Sequence, residues 1–189
     1  MAVEMVARTR RRFSRAEYYR MVEVGILGPH DRVELIRGEI VEKMPGGRRH
    51  RAFVDNLNQL LTARIRDRAI VSIQMPLGLS DDTVPEPDVT VLRRRPVPYK
   101  EREADAEDAL LVIEVADSSL SYDRITKLRL YAEAGIREYW VVDCPAEAVE
   151  IYRDPGSDGY RNVRRVVGRA VVAPQAFPDV ELSLADIFA

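Results

Sequence analysis

Cysteine is nearly absent from this chain: Cys144 is the only one in 189 residues. No intrachain disulfide can form, and a zinc site built on several cysteines is excluded. No apolar run approaches the roughly 18 residues that a membrane-spanning helix needs. The basic N-terminus is not followed by the apolar stretch of a secretory signal. We therefore predict a cytoplasmic protein with no membrane segment.

The chain also lacks an excess of positive charge. It has 29 Lys and Arg residues against 31 Asp and Glu, a net charge of −2. It is therefore not a generally basic nucleic-acid binder, and any attraction to phosphate must come from local clusters. Three such clusters are present, at Arg8–Arg12, Arg48–Arg51 and Arg93–Arg95. Each could equally be solvated surface, and nearby acidic residues offset the third.

Length and composition predict one folded domain after a short arm. Hydrophobic residues make up 46% of the chain and charged residues 32%, a globular balance. A single domain of this size buries roughly 70% of its unfolded surface. Residues 1–12 are predicted to form a mobile basic arm, and residues 13–189 a single domain without internal repeats.

Three helices are predicted. Ser14 and Glu17 fit a capping box at the start of a helix that ends near Glu23, with Gly25 beyond it. A second helix is predicted over about 49–68, because apolar residues recur there every three or four positions. The third is predicted over 121–134, with Gly135 as its C-terminal stop.

Short apolar runs predict strands between these helices. Residues 32–43 fit a hairpin with its turn at Arg37-Gly38. Further strands are predicted at 71–79, from Asp88 onward, and at 110–116, 138–143 and 149–152. Residues 93–108 are predicted to be an exposed loop. The fold class is α/β, with helices flanking a central sheet.

Three ionisable residues occupy positions where an ordinary core has none. Glu114 interrupts the apolar run 110–116, Asp88 opens a strand, and Lys127 falls within the apolar arc of the third helix. Each has a simpler explanation: Glu114 could end a strand in solvent, Asp88 could be a turn residue, and Lys127 could extend its ammonium outward. Asp123 lies in the same arc, four residues before Lys127, the favourable order for a helical ion pair.

Two carboxylates and an amine in one place would suit a divalent cation. Mg²⁺ takes oxygen ligands and usually rests on one or two carboxylates plus substrate phosphate. Such a cation lowers the pKa of a bound water and polarises a phosphoryl group. A nearby lysine can neutralise charge that builds in the transition state. The set therefore predicts metal-assisted hydrolysis, with a nucleic-acid phosphodiester as the expected substrate.

The order of these motifs resembles the PD-(D/E)xK nuclease superfamily and, within it, the Uma-two family of endonucleases. The resemblance covers about residues 13–188. The matching stretches are 33–40, His50 at a helix start, 85–89, 112–115, 123–135 and 138–143.

This resemblance implies a restriction-endonuclease-like fold, a central mixed β-sheet flanked by α-helices. It implies a DNA endonuclease that uses Mg²⁺ or Mn²⁺, with Asp88, Glu114 and the Val115 carbonyl as metal ligands and Lys127 as the catalytic lysine. The superfamily usually places that lysine two residues after the strand acid, where this chain has Ala116. The Uma-two pattern places it on the following helix, which Lys127 matches.

Two further residues are candidates for the site. Glu34 lies between apolar Val33 and Leu35 and could point into the site as a further acidic ligand or, equally, outward. His50 falls on the apolar stripe of its helix, where a hydrogen-bonded core histidine is the simpler interpretation. Tyr131 is interpreted as packing, and Trp140 as core or dimer interface.

Two functions from different classes remain open at this point. The first is a metal-dependent DNA endonuclease acting as a homodimer, because duplex cleavage needs two strands cut. Trp140 and the apolar C-terminal segment are the sequence features that favour a dimer. The alternative is a nucleic-acid-binding or assembly protein that keeps a nuclease fold without turnover.

Overall fold

The protein is described by a computed structural model, which covers residues 10–28 and 30–189. The predicted arm at 1–12 lies mostly outside these residues. Its last part contacts the domain: Arg11 pairs with Glu17, and a side-chain nitrogen of Arg12 donates to the Arg37 carbonyl. No helix in the described residues is both long and apolar enough to cross a membrane.

A six-stranded mixed sheet forms the centre of the fold, in the order β3-β4-β5-β6-β7-β8. β5 and β6 run parallel, and every other neighbouring pair is antiparallel. Its strands are β3 (Ala69–Ile73), β4 (Val89–Arg93), β5 (Ala109–Ala116), β6 (Glu138–Asp143), β7 (Ala148–Gly156) and β8 (Gly159–Val167). Two small sheets accompany it: the hairpin β1 (Val33–Ile36) with β2 (Glu39–Glu42), and β9 (Val171–Val172) with β10 (Leu182–Ser183).

Helices cover both faces of this sheet, as the fold class predicted. They are α1 (Arg15–Glu23), α2 (Arg48–Ile65), α3 (Leu120–Tyr122), α4 (Leu128–Glu133) and α5 (Leu184–Ile187). Alternate residues of β5 point to opposite faces. Leu111, Ile113 and Val115 pack in the cluster that contains α2, and Val112 and Ala116 in the cluster that contains α4. Glu114 lies on the same face of β5 as Val112 and Ala116, so it faces α4.

The local signals at both ends of α1 and in the first hairpin are confirmed. Ser14 and Glu17 form the capping box, and Gly25 follows the helix with φ +75°. The turn Arg37-Gly38 has positive φ at both residues, the geometry that a two-residue hairpin requires. An ion pair of 2.7 Å between Arg37 and Glu133 then ties this hairpin to α4.

The third helix differs from its prediction. It is not one regular α-helix: α3 passes into a π-helical segment, Asp123–Lys127, before α4 begins. The wider π turn still directs Asp123 and Lys127 into the interior, with exposures of 3% and 4%. The predicted ion pair between these two residues is not formed, because Asp123 accepts from the Ser119 hydroxyl instead and Lys127 pairs with other carboxylates.

Several other boundaries need correction. β3 ends at Ile73 rather than near residue 79, because Gln74 turns the chain with φ +49°. The loop predicted over 93–108 ends in a short 3-10 turn whose Asp108 is fully buried. β8 was not predicted, since its many polar residues hide the strand pattern. Trp140 is fully buried and donates to Glu138 within the same chain. It therefore belongs to the core and cannot form a dimer interface.

Candidate metal and nucleic-acid site

One cavity of about 410 Å³ collects all the residues that the sequence proposed for the site. It opens between the end of β5, the start of α2 and the segment that follows β2. Glu34, His50, Asp88, Glu114, Val115 and Lys127 all line it. The strand acids, the helix lysine and the two further candidates therefore converge, although they come from five different parts of the chain. Their roles in a reaction stay predictions.

Glu114 is held by two donors from the helix that covers it. Its Oε1 accepts from Lys127 Nζ at 2.8 Å and from the Tyr131 hydroxyl at 2.6 Å. Oε2 has no hydrogen-bond partner among the described residues. Burial raises the pKa of Glu114, an effect that the Lys127 ammonium opposes. Oε2 is therefore the atom of Glu114 that remains available to a cation.

Lys127 is clamped between two carboxylates. Its Nζ donates to Glu114 and, at 3.0 Å, to Glu34 Oε1. Burial lowers the pKa of Lys127, but the charges of Glu114 and Glu34 more than offset this and raise it above its usual value. The ammonium is therefore charged. Glu34 also accepts from the backbone N–H of Glu86 at 2.8 Å, which fixes it in the inward orientation.

Asp88 precedes β4 and is held by three donors. Its Oδ2 accepts from the Val115 N–H at 2.9 Å, and its Oδ1 from Gln74 Nε2 at 3.1 Å and His50 Nε2 at 3.0 Å. Burial raises the pKa of Asp88, but these hydrogen bonds and His50 outweigh it and lower the pKa below its usual value. Asp88 is thus kept as an anion. His50 is more than a core residue, because it orients this carboxylate.

The glycine pair before α2 explains how His50 reaches Asp88. A Cβ on Gly46 would collide with Nδ1 of the His50 ring, so only glycine allows the ring to lie there. This Nδ1 is buried and has no hydrogen-bond partner among the described residues. A Cβ on Gly47 would come within 2.9 Å of Asp117, another cavity residue. The Gly-Gly break therefore lets the chain pass closely over the site.

The charges that line the cavity do not balance. The acids are Glu34, Glu42, Asp88, Glu114, Asp117 and Asp123, and the basic residues Arg32, Lys43 and Lys127. Six carboxyl groups thus face three basic side chains, a set rich in the oxygen ligands that a divalent cation takes. No group of three or more His, Cys, Asp or Glu side chains in the described residues is arranged to hold a metal by itself. Two carboxylates with a carbonyl still fit Mg²⁺, which keeps several waters.

Asp123 is a cavity residue to which the sequence gave no role beyond the helical pair. It is 3% exposed, and its only side-chain hydrogen bond in the described residues comes from Ser119 Oγ, at 2.6 Å. Burial raises its pKa to about 6, although the Ser119 hydroxyl lowers it in part. Asp123 is therefore the acid of the cavity that is least well satisfied by the protein.

Sequence reasoning missed two residues that support the site. Tyr131, interpreted as packing, donates to Glu114, and Gln74 donates to Asp88. A tyrosine on an apolar stripe could have raised the question, since a buried phenol needs a partner. Gln74 gave no signal. Cys144 is buried, which raises its pKa to about 12 and agrees with a structural role.

The basic clusters differ in what they contact. In the third, Arg95 pairs with Glu107 and Asp108, as nearby acids suggested. Arg48 and Arg49, at the start of α2, are exposed and make no ion pair within the described residues. They stand beside Gly46, Gly47 and His50, which line the cavity. The first cluster lies largely outside the described residues.

Comparison with known proteins agrees with this picture. Residues 15–185 match the Uma2 family, described as "Putative restriction endonuclease". The chain belongs to this family. Among solved structures, it is similar to the 1.96 Å crystal structure of "a putative nuclease belonging to DUF820" from Anabaena variabilis ATCC 29413. The TM-score is 0.65 at 21% identity, over 82% of this chain and 89% of that one, which establishes the shared fold. No curated protein is similar enough in sequence to count as a relative.

Proposed function

We propose that this member of the Uma2 family is a metal-dependent endonuclease that hydrolyses DNA phosphodiester bonds. The observation that carries the proposal is the convergence of Asp88, Glu114 and Lys127 on one cavity with excess negative charge. Asp88 and Glu114 would hold Mg²⁺ or Mn²⁺, together with the Val115 carbonyl. When bound, the cation would supply Lewis acidity and a more acidic water.

The side chains of the protein would do the remaining work. Lys127, already charged, would orient the attacking water or neutralise charge that develops on the phosphoryl oxygens. Glu34 would keep the lysine in place when Glu114 turns toward a cation, because it is the second acceptor of the same ammonium. His50 would hold Asp88 in the orientation that presents it to the cavity. His50 and Glu34 thus act as positioning residues.

Plasmid cleavage with a divalent cation tests this proposal. Purified protein should nick or linearise plasmid with Mg²⁺ or Mn²⁺ and lose this activity with a chelator. Asp88→Ala and Lys127→Ala should each be inactive or nearly so. Variants that cut as well as the parent would show that the site is assigned wrongly. Salt-sensitive DNA binding that survives Asp88→Ala, with no metal-dependent cutting, would favour the alternative of a non-catalytic binding protein.

The homodimer and the cytoplasmic location stay predictions. The apolar C-terminal segment that favoured a dimer is in the core of one chain: Val180, Leu182 and Ile187 are buried. Only the family resemblance and the need to cut two strands now favour pairing. A monomeric mass in light scattering at working concentration would contradict a dimer.

A further inference from the structure

The groups proposed to react are almost completely buried. Glu34, Asp88, Glu114 and Lys127 are 2%, 6%, 4% and 4% exposed. Within the part of the chain that the structure describes, all four line one cavity of about 410 Å³. A B-form duplex has a major groove about 12 Å wide and keeps its phosphates in a fixed path along the outside. The paired bases of such a duplex cannot enter a cavity of this size, whereas an unpaired nucleotide can turn out of its stack and enter a pocket.

The cavity has apolar residues as well as charged ones. Val41, Met44 and Pro45 come from β2 and the segment after it, and Tyr122 comes from α3. Met44 is 73% exposed, so this apolar surface lies toward the mouth while the charged groups lie deeper. A pocket with this order suits a nucleotide, because bases stack on aromatic and apolar side chains and the phosphate goes to the charged end.

Tyr122 provides a specific sign of a missing partner. Its hydroxyl is buried and makes no hydrogen bond within the described residues. Burial and the charge of Glu34 raise the pKa of Tyr122, so the phenol stays protonated and remains a donor. Buried polar groups in native proteins are rarely left without a partner. An oxygen of a bound nucleotide would supply the acceptor that the protein does not.

The exposed arginines at the mouth complete the set. Arg32 lines the cavity, and Arg48 and Arg49 stand at the start of α2 beside it. None of the three forms an ion pair in residues 10–28 and 30–189. They can therefore contact the phosphates that flank an inserted nucleotide.

We propose that this cavity accepts one unpaired nucleotide, so that single-stranded or locally unpaired DNA is bound and cut in preference to intact duplex. The inference rests on the proposed function in taking the charged end of the cavity as the reacting end. It adds the substrate class, and it assigns Tyr122 and Met44 to base binding.

Fluorescence anisotropy tests binding apart from cleavage. A labelled oligonucleotide is presented as a single strand, as a perfect duplex and as a duplex with a short central bulge, with Ca²⁺ as the oxygen-binding cation. The single strand and the bulged duplex should bind at least about tenfold more tightly than the perfect duplex, because turning a paired base out of its stack takes a few kcal/mol. A perfect duplex that binds as tightly as the single strand would overturn the inference.

Variants locate the bound base. Tyr122→Ala should weaken single-strand binding by roughly 5- to 150-fold, the equivalent of one lost stacking contact. Tyr122→Phe keeps the ring and should lose less. Met44→Ser should also weaken binding and, at an exposed position, should fold. Ile125→Ala is the matched control, because Ile125 is 59% exposed near Tyr122 and does not line the cavity. Unchanged affinity in both Tyr122→Ala and Met44→Ser would overturn the inference.

Cleavage of the same substrates with Mg²⁺ separates the two proposals. Preferred cutting of the single strand and the bulge supports both. Cutting of the perfect duplex at an equal or higher rate overturns the inference and leaves the endonuclease standing. Single-strand preference in binding, with no metal-dependent cutting of any substrate, supports the inference and overturns the endonuclease.

Discussion

Buried acids in two regions of the molecule are neutralised in different ways. In the first, the cavity, Glu114 and Glu34 share one buried ammonium, that of Lys127. The second, which we call the arginine cluster, contains Asp143, Glu150, Arg124 and Arg165. There Glu150 accepts from Arg124 at 2.5 and 2.8 Å and from Arg165 at 3.1 Å. Asp143 accepts from Arg124 at 3.1 Å.

The difference lies in charge balance and solvent access. The arginine cluster has two acids and two bases, and its arginine side chains are 31% and 46% exposed. The side chain of Lys127 is 5% exposed, and it lies in a cavity where acids outnumber bases. The π-helical segment contributes a cation to each region, Arg124 to one and Lys127 to the other. Buried charge alone therefore does not mark a site; an excess of carboxylate that the protein leaves uncompensated does.

Removing the cation from each region should have very unequal effects on stability. Lys127→Met leaves Glu114 buried without a counter-charge and Glu34 with only Lys43, at 3.7 Å, which we expect to destabilise the fold by about 3–5 kcal/mol. Arg124→Met should have a smaller effect, about 1–2 kcal/mol, because Arg165 remains and water can reach the acids. Urea unfolding at neutral pH measures both. Equal losses of unfolding free energy in the two variants would show that the two regions depend on their cations to the same extent.

Removing an acid from each region should separate activity from stability. Asp88→Asn should reduce metal-dependent cleavage by more than about 100-fold, since even residues that only support metal ligands matter by 10- to 100-fold. Glu150→Gln is the matched control and should leave the cleavage rate unchanged where the variant is folded. Initial rates on a plasmid or single-stranded substrate decide the matter. A Glu150→Gln variant as inactive as Asp88→Asn would contradict the distinction.

The pH dependence of stability should have opposite signs in the two regions. Burial raises the pKa of Asp123 from 3.8 to about 6. Its contribution to the free energy of unfolding is therefore full below pH 3.8. This contribution is lost as the pH rises through about 6, a change of up to about 3 kcal/mol. Asp123→Asn should lack this loss, so its stability relative to the parent should rise over that interval.

Glu150 should show the reverse. Burial raises its pKa, but the hydrogen bonds from Arg124 and Tyr152, with the charges of Arg124 and Arg165, outweigh it and lower the pKa below 4.5. Its stabilisation is present above that value and lost as the pH falls through the folded-state pKa. Unfolding free energies of each variant and the parent, compared across acidic pH, test both signs. The same sign in both would refute this contrast.

The smallest difference between the two regions is expected for the two tyrosines that donate to these acids. Tyr131→Phe removes a bond of 2.6 Å to Glu114, and Tyr152→Phe one of 2.7 Å to Glu150. We expect a loss of about 1–3 kcal/mol for the first, because a buried acceptor loses a donor. The second should be below about 1 kcal/mol, since the arginines still satisfy Glu150. Thermal or urea unfolding compares the pair, and a larger loss for Tyr152→Phe would be inconsistent with this account.

The sequence predicted those parts that depend on local chemistry. The Ser14 cap, the Arg37-Gly38 turn and the apolar stripe of α2 each have a short-range cause, and each was found. Asp88, Glu114 and Lys127 could be singled out because a charge within an apolar pattern is unfavourable unless it is paired.

What the sequence did not reveal depends on tertiary contacts. A helical wheel assumes 3.6 residues per turn and so cannot show the π turn at Asp123–Lys127. Glu150 alternates along β7 as an outward residue would, and only the fold brings Arg124 and Arg165 to it. Tyr131 looked like packing because its acceptor, Glu114, lies on another element. For each of these residues, the partner lies on another element and could not be identified from the sequence.

Anomalous diffraction from crystals soaked in Mn²⁺ can show whether Asp88 and Glu114 hold a cation in the cavity. We expect an Mn²⁺ peak in the cavity, within coordination distance of carboxylate oxygens of both Asp88 and Glu114, and no such peak in Asp88→Asn crystals soaked in the same way. An empty cavity in parent crystals that bind Mn²⁺ elsewhere, or a peak that survives Asp88→Asn unchanged, would contradict this expectation.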